Sequence, residues 1–295
     1  MVKRDIKIIP RPCKLINTRN TCFFNSAIQL TIFVHPLTTF FYSAIFTKNQ
    51  QICQSFQNFL KNYSQNTVLD PQSFINILSQ KINIFNGEEQ DAQEFLLLFY
   101  NNLAIELGFL DDMKIDNLEN LKKISKKNIM INIFYGLIKN NVKYYDCNHI
   151  SSLTHQFWNL TLPVTESIQQ SINEILKINS EKVKMKCDEC KINSKVKVKT
   201  EFLALPKILI IQLSRFFSDR KNDNLCIINE RLVIDEYAYH PIGFICHTGT
   251  LQNGHYTAYA KVLSKWHLFD DTSVKEIEFE NCNKRGAYII FYSRV

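Results

Sequence analysis

The sequence LINTRNTCFFNS, residues 15–26, runs directly into an apolar pattern of helical period. Asn20 or Thr21 can begin that helix, because either side chain accepts a hydrogen bond from a free backbone N–H of a first turn. The apolar residues that follow at helical spacing are Phe24, Ala27, Ile28, Ile32 and Phe33. The dipeptide His-Pro at 35–36 then ends the pattern. The sequence therefore predicts that Cys22 lies at or near the start of an amphipathic helix.

Cys22 has the surroundings of a nucleophile if that helix forms. The unsatisfied N–H groups and the dipole at a helix N-terminus favour an anion, which lowers the pKa of a thiol there. The side-chain amide of Asn17, earlier in the same stretch, can donate to a developing oxyanion, a role worth roughly 3–4 kcal/mol in acyl transfer. The alternative is a cysteine of the core, since free Cys is among the most buried residue types.

The last third of the chain carries the candidate general base. The segment GHYTAY (254–259) places His255 directly after a glycine, at the start of an alternating strand. The segment WHLFDDTSV (266–274) is a strand that ends in paired carboxylates. A short antiparallel connection near 263–264 would bring Asp270 beside His255, where a carboxylate orients the imidazole. The alternative for the carboxylate pair is a turn cap.

The first and last of these stretches resemble the Cys and His boxes of the ubiquitin-specific protease family. Their patterns are Gly-Leu-x-Asn-x-Gly-Asn-Thr-Cys, and Gly-His-Tyr-x-Ala-Tyr followed by Trp-x-x-[Phe/Tyr]-[Asn/Asp]-Asp. Every position of the His box is filled, whereas Lys14 and Arg19 stand where the Cys box usually has Gly. If the Arg19 position needs φ > 0, Arg costs stability there. The catalytic residues that the resemblance implies are Cys22, His255, Asp270 and Asn17.

A third stretch, QDAQEFL (90–96) after Gly87, resembles another box of the same family. In that family, acidic and amide groups of this box face the Arg-containing C-terminal tail of ubiquitin. The resemblance therefore implies substrate binding by Asp91, Gln90 and Gly254. The alternative is an acidic helix cap, because the first turn of a helix favours negative charge.

The chain changes character near its middle. Helical spacing dominates before about residue 128, and alternating strand patterns follow, an order that predicts an α+β protein with segregated halves. The resemblance implies a papain-like cysteine protease fold in a single catalytic domain over residues 12–293. Its helical thumb would span 12–128, and its antiparallel β fingers and palm would span 129–293.

The same resemblance implies a function. It is that of a cysteine-dependent deubiquitinase, which hydrolyses the (iso)peptide or thioester bond at the C-terminal glycine of ubiquitin and requires no cofactor for catalysis. Ubiquitin and ubiquitinated proteins are the implied partners. Two alternatives keep the fold: a catalytically silent ubiquitin-binding scaffold, favoured by Arg19, and a protease for a ubiquitin-like modifier.

Cys187 and Cys190 form a Cys-x-x-Cys between Lys-rich alternating strands. Such a pair is half of a zinc ribbon, which needs four ligands to close. The family often carries a second pair, and here Cys147 falls on its second position while Tyr144 occupies the first. The implied ligands of a structural zinc are Cys147, Cys187 and Cys190, with His149 or Asp146 as a conceivable fourth. The alternative is a finger region that keeps its strands and has lost its metal.

The totals restrict the setting of this 295-residue chain, which is 45% hydrophobic and 21% charged. Nine irregularly spaced cysteines argue against a disulfide framework, residues 1–12 lack the apolar region of a signal peptide, and no apolar run approaches about 20 residues. We therefore expect a cytoplasmic or nuclear protein with no membrane partner. The net charge of +7 is modest, and a nucleic-acid partner is disfavoured because few aromatic residues lie among the Lys-rich strands.

Overall fold

The computed structural model describes residues 10–110, 113–177, 179–250 and 253–295, and the backbone alone of residues 179–183. Helices dominate up to residue 134 and strands dominate after it, so the observed class is α+β, as predicted. The helices are α1 (Cys22–Ile32), α2 (His35–Ser43), α3 (Gln51–Gln65), α4 (Gln72–Leu78), α5 (Ala92–Glu106), α6 (Leu118–Ser125), α7 (Ile129–Phe134) and α8 (Ile168–Leu176). In the described ranges, no helix combines the length and the apolar character that a membrane span requires.

The strands are short at the N-terminal end of the chain and longer beyond residue 135. They are β1 (Lys14–Leu15), β2 (Val68–Leu69), β3 (Gly136–Tyr144), β4 (Ile150–Phe157), β5 (Asn159–Leu162), β6 (Asn179–Lys186), β7 (Asn193–Ala204), β8 (Ile208–Leu213), β9 (Leu232–Ile234), β10 (Tyr237–Gly249), β11 (Gly254–Val262), β12 (Lys265–Asp270), β13 (Ser273–Ile277) and β14 (Ala287–Arg294).

Most of these strands belong to two larger sheets. The central sheet has the order β13-β12-β11-β10-β14-β8-β5, with β9 beside β10. Its neighbours run antiparallel, except β5 and β8, which run parallel. The outer sheet is separate and has the order β4-β3-β7-β6, with every neighbour antiparallel. Strands β1 and β2 form a third, two-stranded parallel pair.

Helix α1 lies in the interior of the protein. Every residue from Cys22 to Ile32 is buried, because α1 contacts α2, α5 and strands β10, β11 and β12. Its polar side chains are hydrogen-bonded inside the core: Gln29 donates to the backbone oxygen of Cys13 at 2.8 Å and accepts from the Tyr63 hydroxyl at 2.6 Å. The prediction of an amphipathic helix was therefore wrong in one respect, since the polar face is enclosed as well.

The turn before α1 also differs from the prediction. Thr21 precedes the helix, yet its side chain makes no capping bond; its hydroxyl accepts from the N–H of Thr18 at 3.1 Å instead. Arg19 and Asn20 both have a φ of 59°, a left-handed conformation that costs a residue with a Cβ roughly 1–2 kcal/mol. Arg19 thus keeps the backbone conformation that a glycine adopts more easily.

Candidate active site

Cys22 and His255 come together because α1 packs against β11. Cys22 is the first residue of α1 and is only 5% exposed. His255 is the second residue of β11. The pKa of His255 is raised to about 9, first by hydrogen bonding with the Cys22 side chain, and this outweighs the opposite effect of burial. The fold therefore places the predicted nucleophile beside the predicted base.

Asp270 contacts the opposite nitrogen of the imidazole. Strands β11 and β12 form a hairpin with a two-residue turn at 263–264, as predicted. Leu263 takes a φ of 58° in this turn, where glycine or asparagine is usual. Asp270 Oδ1 lies 2.7 Å from His255 Nε2, which leaves Nδ1 to face Cys22. A carboxylate in this position fixes the orientation of the ring and stabilises its charged form.

Asn17 lies in the turn before α1, where two partners hold it. Its Oδ1 accepts from the N–H of Thr21 at 2.9 Å, and its Nδ2 donates to Asp271 Oδ2 at 2.8 Å. A side-chain amide carries two N–H hydrogens, so one donor is left for another acceptor near the thiol. The role of Asn17 at an oxyanion stays a prediction.

Asp271 is a site residue to which the sequence analysis gave no role. Its Oδ1 accepts from Asn25 Nδ2 at 2.8 Å, while its Oδ2 holds Asn17. Its backbone oxygen accepts from the N–H of Leu15 at 3.0 Å. The carboxylate thus joins α1 and the stretch before it to the end of β12. Asn25, one turn after Cys22 in the quoted stretch, was the available signal, because a buried amide needs a partner.

Asp91 caps a helix, which is the alternative to substrate binding that the sequence left open. It is the N-cap of α5, where Oδ1 accepts from the N–H groups of Gln93 and Glu94. Its Oδ2 accepts from the Tyr288 hydroxyl at 2.8 Å. Asp91 also lines a cavity of about 600 Å³ between α5 and β8. Gln90 lies beside it and donates to Asn86 Oδ1 at 2.9 Å; substrate binding by either residue stays a prediction.

Gly254 occupies a position that has no room for a side chain. A Cβ there would lie 1.9 Å from His247 Nε2. Its N–H donates at 2.8 Å to Glu89 Oε2, although Glu89 is 165 residues away in sequence. The residue directly before His255 is therefore tied to the segment that leads into Asp91. Glu89 could not be identified from the sequence, because its contact with Gly254 depends on folding alone.

His247 packs at the same end of the central sheet as the catalytic candidates. Its ring lies 5.0 Å from that of Phe216 and 4.8 Å from that of Tyr256, centroid to centroid. Burial lowers the pKa of His247 to about 4, so the ring is uncharged at neutral pH. Lys221 Nζ donates to the backbone oxygens of His247 and Gly249, each at 3.1 Å. The Lys221 side chain therefore links the loop after β8 to the end of β10.

The three candidate zinc ligands converge at the end of the outer sheet. The sulfur atoms of Cys147, Cys187 and Cys190 all lie within 4.8 Å of one another, and no fourth His, Cys, Asp or Glu joins them in the part of the chain that the structure describes. His149 and Asp146 are therefore not brought to the thiols. Three thiolates fit three of the four positions of a tetrahedral zinc, and a water molecule or a small ligand would have to complete it.

Comparisons with known proteins place the chain in a family. The family model described as "Ubiquitin carboxyl-terminal hydrolase" matches residues 13–292. The chain is 29% identical to Ubiquitin carboxyl-terminal hydrolase 16 of Arabidopsis thaliana, over 98% of this chain and 31% of that protein. It is 29% identical to Ubiquitin carboxyl-terminal hydrolase Usp2 of Drosophila melanogaster, over 96% of this chain and 35% of that protein. The chain thus spans about a third of the length of these two relatives.

Solved structures show the same architecture. One of them is a SAGA DUB module of Ubp8, Sgf11, Sus1 and Sgf73 bound to monoubiquitin. The match covers 96% of this chain and 69% of the matched chain of the module, with a TM-score of 0.78 and 20% identity. The module bound to ubiquitin aldehyde matches 100% of this chain and 71% of that chain, with a TM-score of 0.75 and 20% identity. The likeness confirms the predicted papain-like fold with thumb, palm and fingers.

Proposed function

The chain belongs to the ubiquitin carboxyl-terminal hydrolase family, and we propose that it is a cysteine-dependent deubiquitinase. It would hydrolyse the (iso)peptide or thioester bond at the C-terminal glycine of ubiquitin. The observation that carries the proposal is the placement of Cys22 at the start of α1 beside His255, which in turn lies 2.7 Å from Asp270. The names of the relatives and the ubiquitin bound in the matching structures support the choice of substrate.

The first half of the proposed reaction forms a thioester. His255 takes the proton of Cys22, and the thiolate attacks the carbonyl carbon of the terminal glycine. The C–N bond of the tetrahedral intermediate then breaks, and His255 gives its proton to the leaving amine. The raised pKa of His255, about 9, suits this step, because the ring holds the proton at neutral pH until the amine departs.

The second half releases ubiquitin. His255 removes a proton from water, the hydroxide attacks the thioester carbonyl, and the C–S bond breaks. The glycine leaves as a free carboxylic acid and Cys22 is regenerated. General acid–base help of this kind is typically worth roughly 10²–10⁴-fold in rate.

Each tetrahedral intermediate needs donors for its oxyanion. Backbone N–H groups in the first turn of α1 have no intrahelical partner, and Thr21 makes no capping bond that would occupy them. The second N–H of Asn17 supplies a side-chain donor next to that turn. Removing one such donor typically costs roughly 10²–10³-fold in kcat.

The substrate tail would approach through the cleft between α5 and the central sheet. The Asp91 carboxylate lines the 600 Å³ cavity there and would attract a cationic tail, with Gln90 beside it. At the inner end of this path, Gly254 precedes His255, and His247 packs so closely against it that a Cβ would lie 1.9 Å from His247 Nε2.

The proposed chemistry uses side chains and backbone N–H groups of the protein and needs no cofactor. We propose separately that Cys147, Cys187 and Cys190 hold a structural zinc, which would fix the turns at the end of the outer sheet. All nine cysteines are free, which supports our proposal of a reducing compartment, the cytoplasm or the nucleus.

A fluorogenic C-terminal amide of ubiquitin tests the function. We expect the purified protein to release the fluorophore and Cys22→Ala to lose at least roughly 10³-fold of that activity, as nucleophile variants do. The matched control is Cys53→Ala, because Cys53 is a fully buried cysteine on α3. We expect this variant to retain activity. Turnover that survives in Cys22→Ala would refute the assigned nucleophile.

A second experiment separates the proposal from its two alternatives. We expect an electrophilic ubiquitin probe to label Cys22 covalently. Binding of ubiquitin without labelling would favour the silent scaffold. Labelling by a probe built on a ubiquitin-like modifier, and not by the ubiquitin probe, would change the substrate while keeping the chemistry.

A further inference from the structure

The register of the outer sheet places seven lysines on one of its faces. Residues directly opposite in a ladder share a face, and alternate residues along a strand do too. Lys143 lies opposite Lys197, and Lys184 lies opposite Lys195. The members of this lysine face are Lys139, Lys143, Lys184, Lys186, Lys195, Lys197 and Lys199. All seven are exposed or half-buried.

Most of this positive charge is not neutralised. Among the described side chains of the face, Glu201 is the acidic one, and it pairs with Lys199 and accepts from Asn141 Nδ2. In the described ranges, neither facing pair of lysines forms an ion pair with a carboxylate. Like charges directly opposite each other in a sheet are destabilising. The two facing pairs of lysines therefore lower the stability of the outer sheet, and its folding does not require them.

The residue types on the lysine face indicate the class of ligand that it binds. Protein–protein interfaces are depleted of Lys and enriched in aromatic residues, Met and Arg, whereas the strand residues of this face whose side chains are described include no aromatic residue. Without aromatic residues the face has no platform for stacking unpaired bases. Its ammonium groups project from a lattice spaced about 4.8 Å between strands and about 6.7 Å along them. Regularly spaced cations of this kind match a repeating array of phosphates.

We propose that the lysine face binds the phosphate backbone of duplex nucleic acid without reading its sequence. Contacts to phosphates fix position and carry no base information, which is consistent with lysines as point charges. The scarcity of aromatic residues, which disfavoured nucleic acid in the sequence analysis, excludes base stacking and leaves backbone contact open. Such a surface adds a recruitment site that leaves the cleft around Cys22 free.

Fluorescence anisotropy of the intact protein with a labelled DNA duplex of about 24 base pairs tests the proposal. Lys199 pairs with Glu201 and Lys139 lies opposite it, which leaves five lysines. If these five neutralise phosphates, the logarithm of the binding constant falls with the logarithm of salt at a slope of about −4.5. Affinity then drops roughly 500-fold between about 50 and 200 mM salt. An RNA duplex of the same length, run in parallel, distinguishes the two sources of the same phosphodiester chemistry.

A pair of matched variants locates the site. Lys143→Gln with Lys197→Gln removes one facing pair, and we expect the salt slope to fall by about 2. Lys122→Gln with Lys126→Gln removes the same charge from the lysine cluster of α6, and we expect the slope to stay unchanged. Equal losses in both variants would mean that net charge alone drives binding, which would overturn the proposal.

Two further measurements test whether unfolding or general attraction to acidic polymers explains the result. The Lys143 and Lys197 variant should melt no lower than the parent protein, because it removes a repulsion, so its lost binding cannot reflect unfolding. Unlabelled duplex should displace the probe far better than poly-glutamate at equal charge. If poly-glutamate competes as well as the duplex, the face is a docking site for acidic proteins and the proposal is wrong.

Discussion

Helix α1 meets the central sheet through a continuous apolar core, whereas the buried cluster of the outer sheet consists of Tyr144, Cys187 and Val196. The polar groups differ as well. At the junction of α1 and the central sheet, Asp270 and Asp271 are both hydrogen-bonded. On the outer sheet, lysines face lysines. The contrast indicates that the junction holds a fixed geometry for chemistry, while the outer sheet presents a charged surface.

The largest difference between the two regions should be in stability. Ile289 of β14 is fully buried in the main core, and Ile289→Ala should reduce the free energy of unfolding by about 2–5 kcal/mol. Val198→Ala in the half-buried part of the outer sheet should cost less than about 1 kcal/mol, because less apolar area is lost from burial. Urea unfolding followed by circular dichroism measures both. Similar costs for the two variants would remove the contrast.

Asp271 should have the next largest effect, this time on activity. Asp271→Ala frees Asn17 and Asn25 together, and a misplacement of catalytic groups by about 1 Å can lower the rate roughly 10²-fold. Asp271→Asn keeps one acceptor oxygen and should lose less. Steady-state hydrolysis of the ubiquitin amide gives kcat and KM for each. Because the substrate path does not run through Asp271, we expect the loss in kcat and would reject the positioning role if only KM changed.

The pH dependence of activity reports the charge of His255. Its pKa is raised from 6.5 to about 9, so the imidazolium persists at neutral pH and is lost as pH rises through about 9. We expect kcat/KM to fall about tenfold per pH unit beyond that point, since the leaving amine then lacks its proton donor. The same shift means that His255 stabilises the fold fully below pH 6.5 and that this contribution disappears as pH rises through 9.

A histidine of the neighbouring strand provides the control for that profile. His267 lies on β12 outside the catalytic group, and His267→Gln should leave the alkaline limb in place. Replacement of Asp270 by Asn should move the limb to lower pH, because the carboxylate contributes to the raised pKa of His255. An alkaline limb that does not move in Asp270→Asn would assign it to another group.

The smallest effect should be a gain in stability on replacing one residue in each region by glycine. Arg19 before α1 and Lys191 after the Cys-x-x-Cys of the outer sheet have φ values of 59° and 60°. Glycine adopts this conformation without steric cost, so Arg19→Gly and Lys191→Gly should each raise the free energy of unfolding by about 1 kcal/mol. Thermal melts measure the gain. A loss of stability in Arg19→Gly would show that the arginine side chain makes a compensating contact.

The placement of the candidate catalytic residues was predictable because each sits in a local pattern. Cys22 opens a helix, His255 opens a strand after a glycine, and a short hairpin connection is enough to bring Asp270 to the ring. The convergence of Cys147 with Cys187 and Cys190 was predictable from the family resemblance, which placed Cys147 in the second cysteine pair.

The remaining contacts could not be predicted from the spacing of residues. Asp271 holds Asn17 across 254 positions and Asn25 across 246, and nothing in the spacing of these residues announces a contact. The bond from Gly254 to Glu89 likewise depends on how the loops meet. The complete burial of α1 was missed because Gln29 and Thr31 appear polar in the sequence, while in the fold their hydrogen bonds are made inside the core.

Strand β14 lies between β10 and β8 although it follows both in the sequence. During synthesis, at about 5–20 residues per second, Cys22, His255 and Asp270 are therefore all made before the strand that joins the two parts of the central sheet. Until residues 287–294 leave the ribosome, β10 and β8 each expose an unpaired edge, which is a template for association with other chains. A premature stop before Ala287 should accordingly yield an aggregating polypeptide and no weakly active fragment.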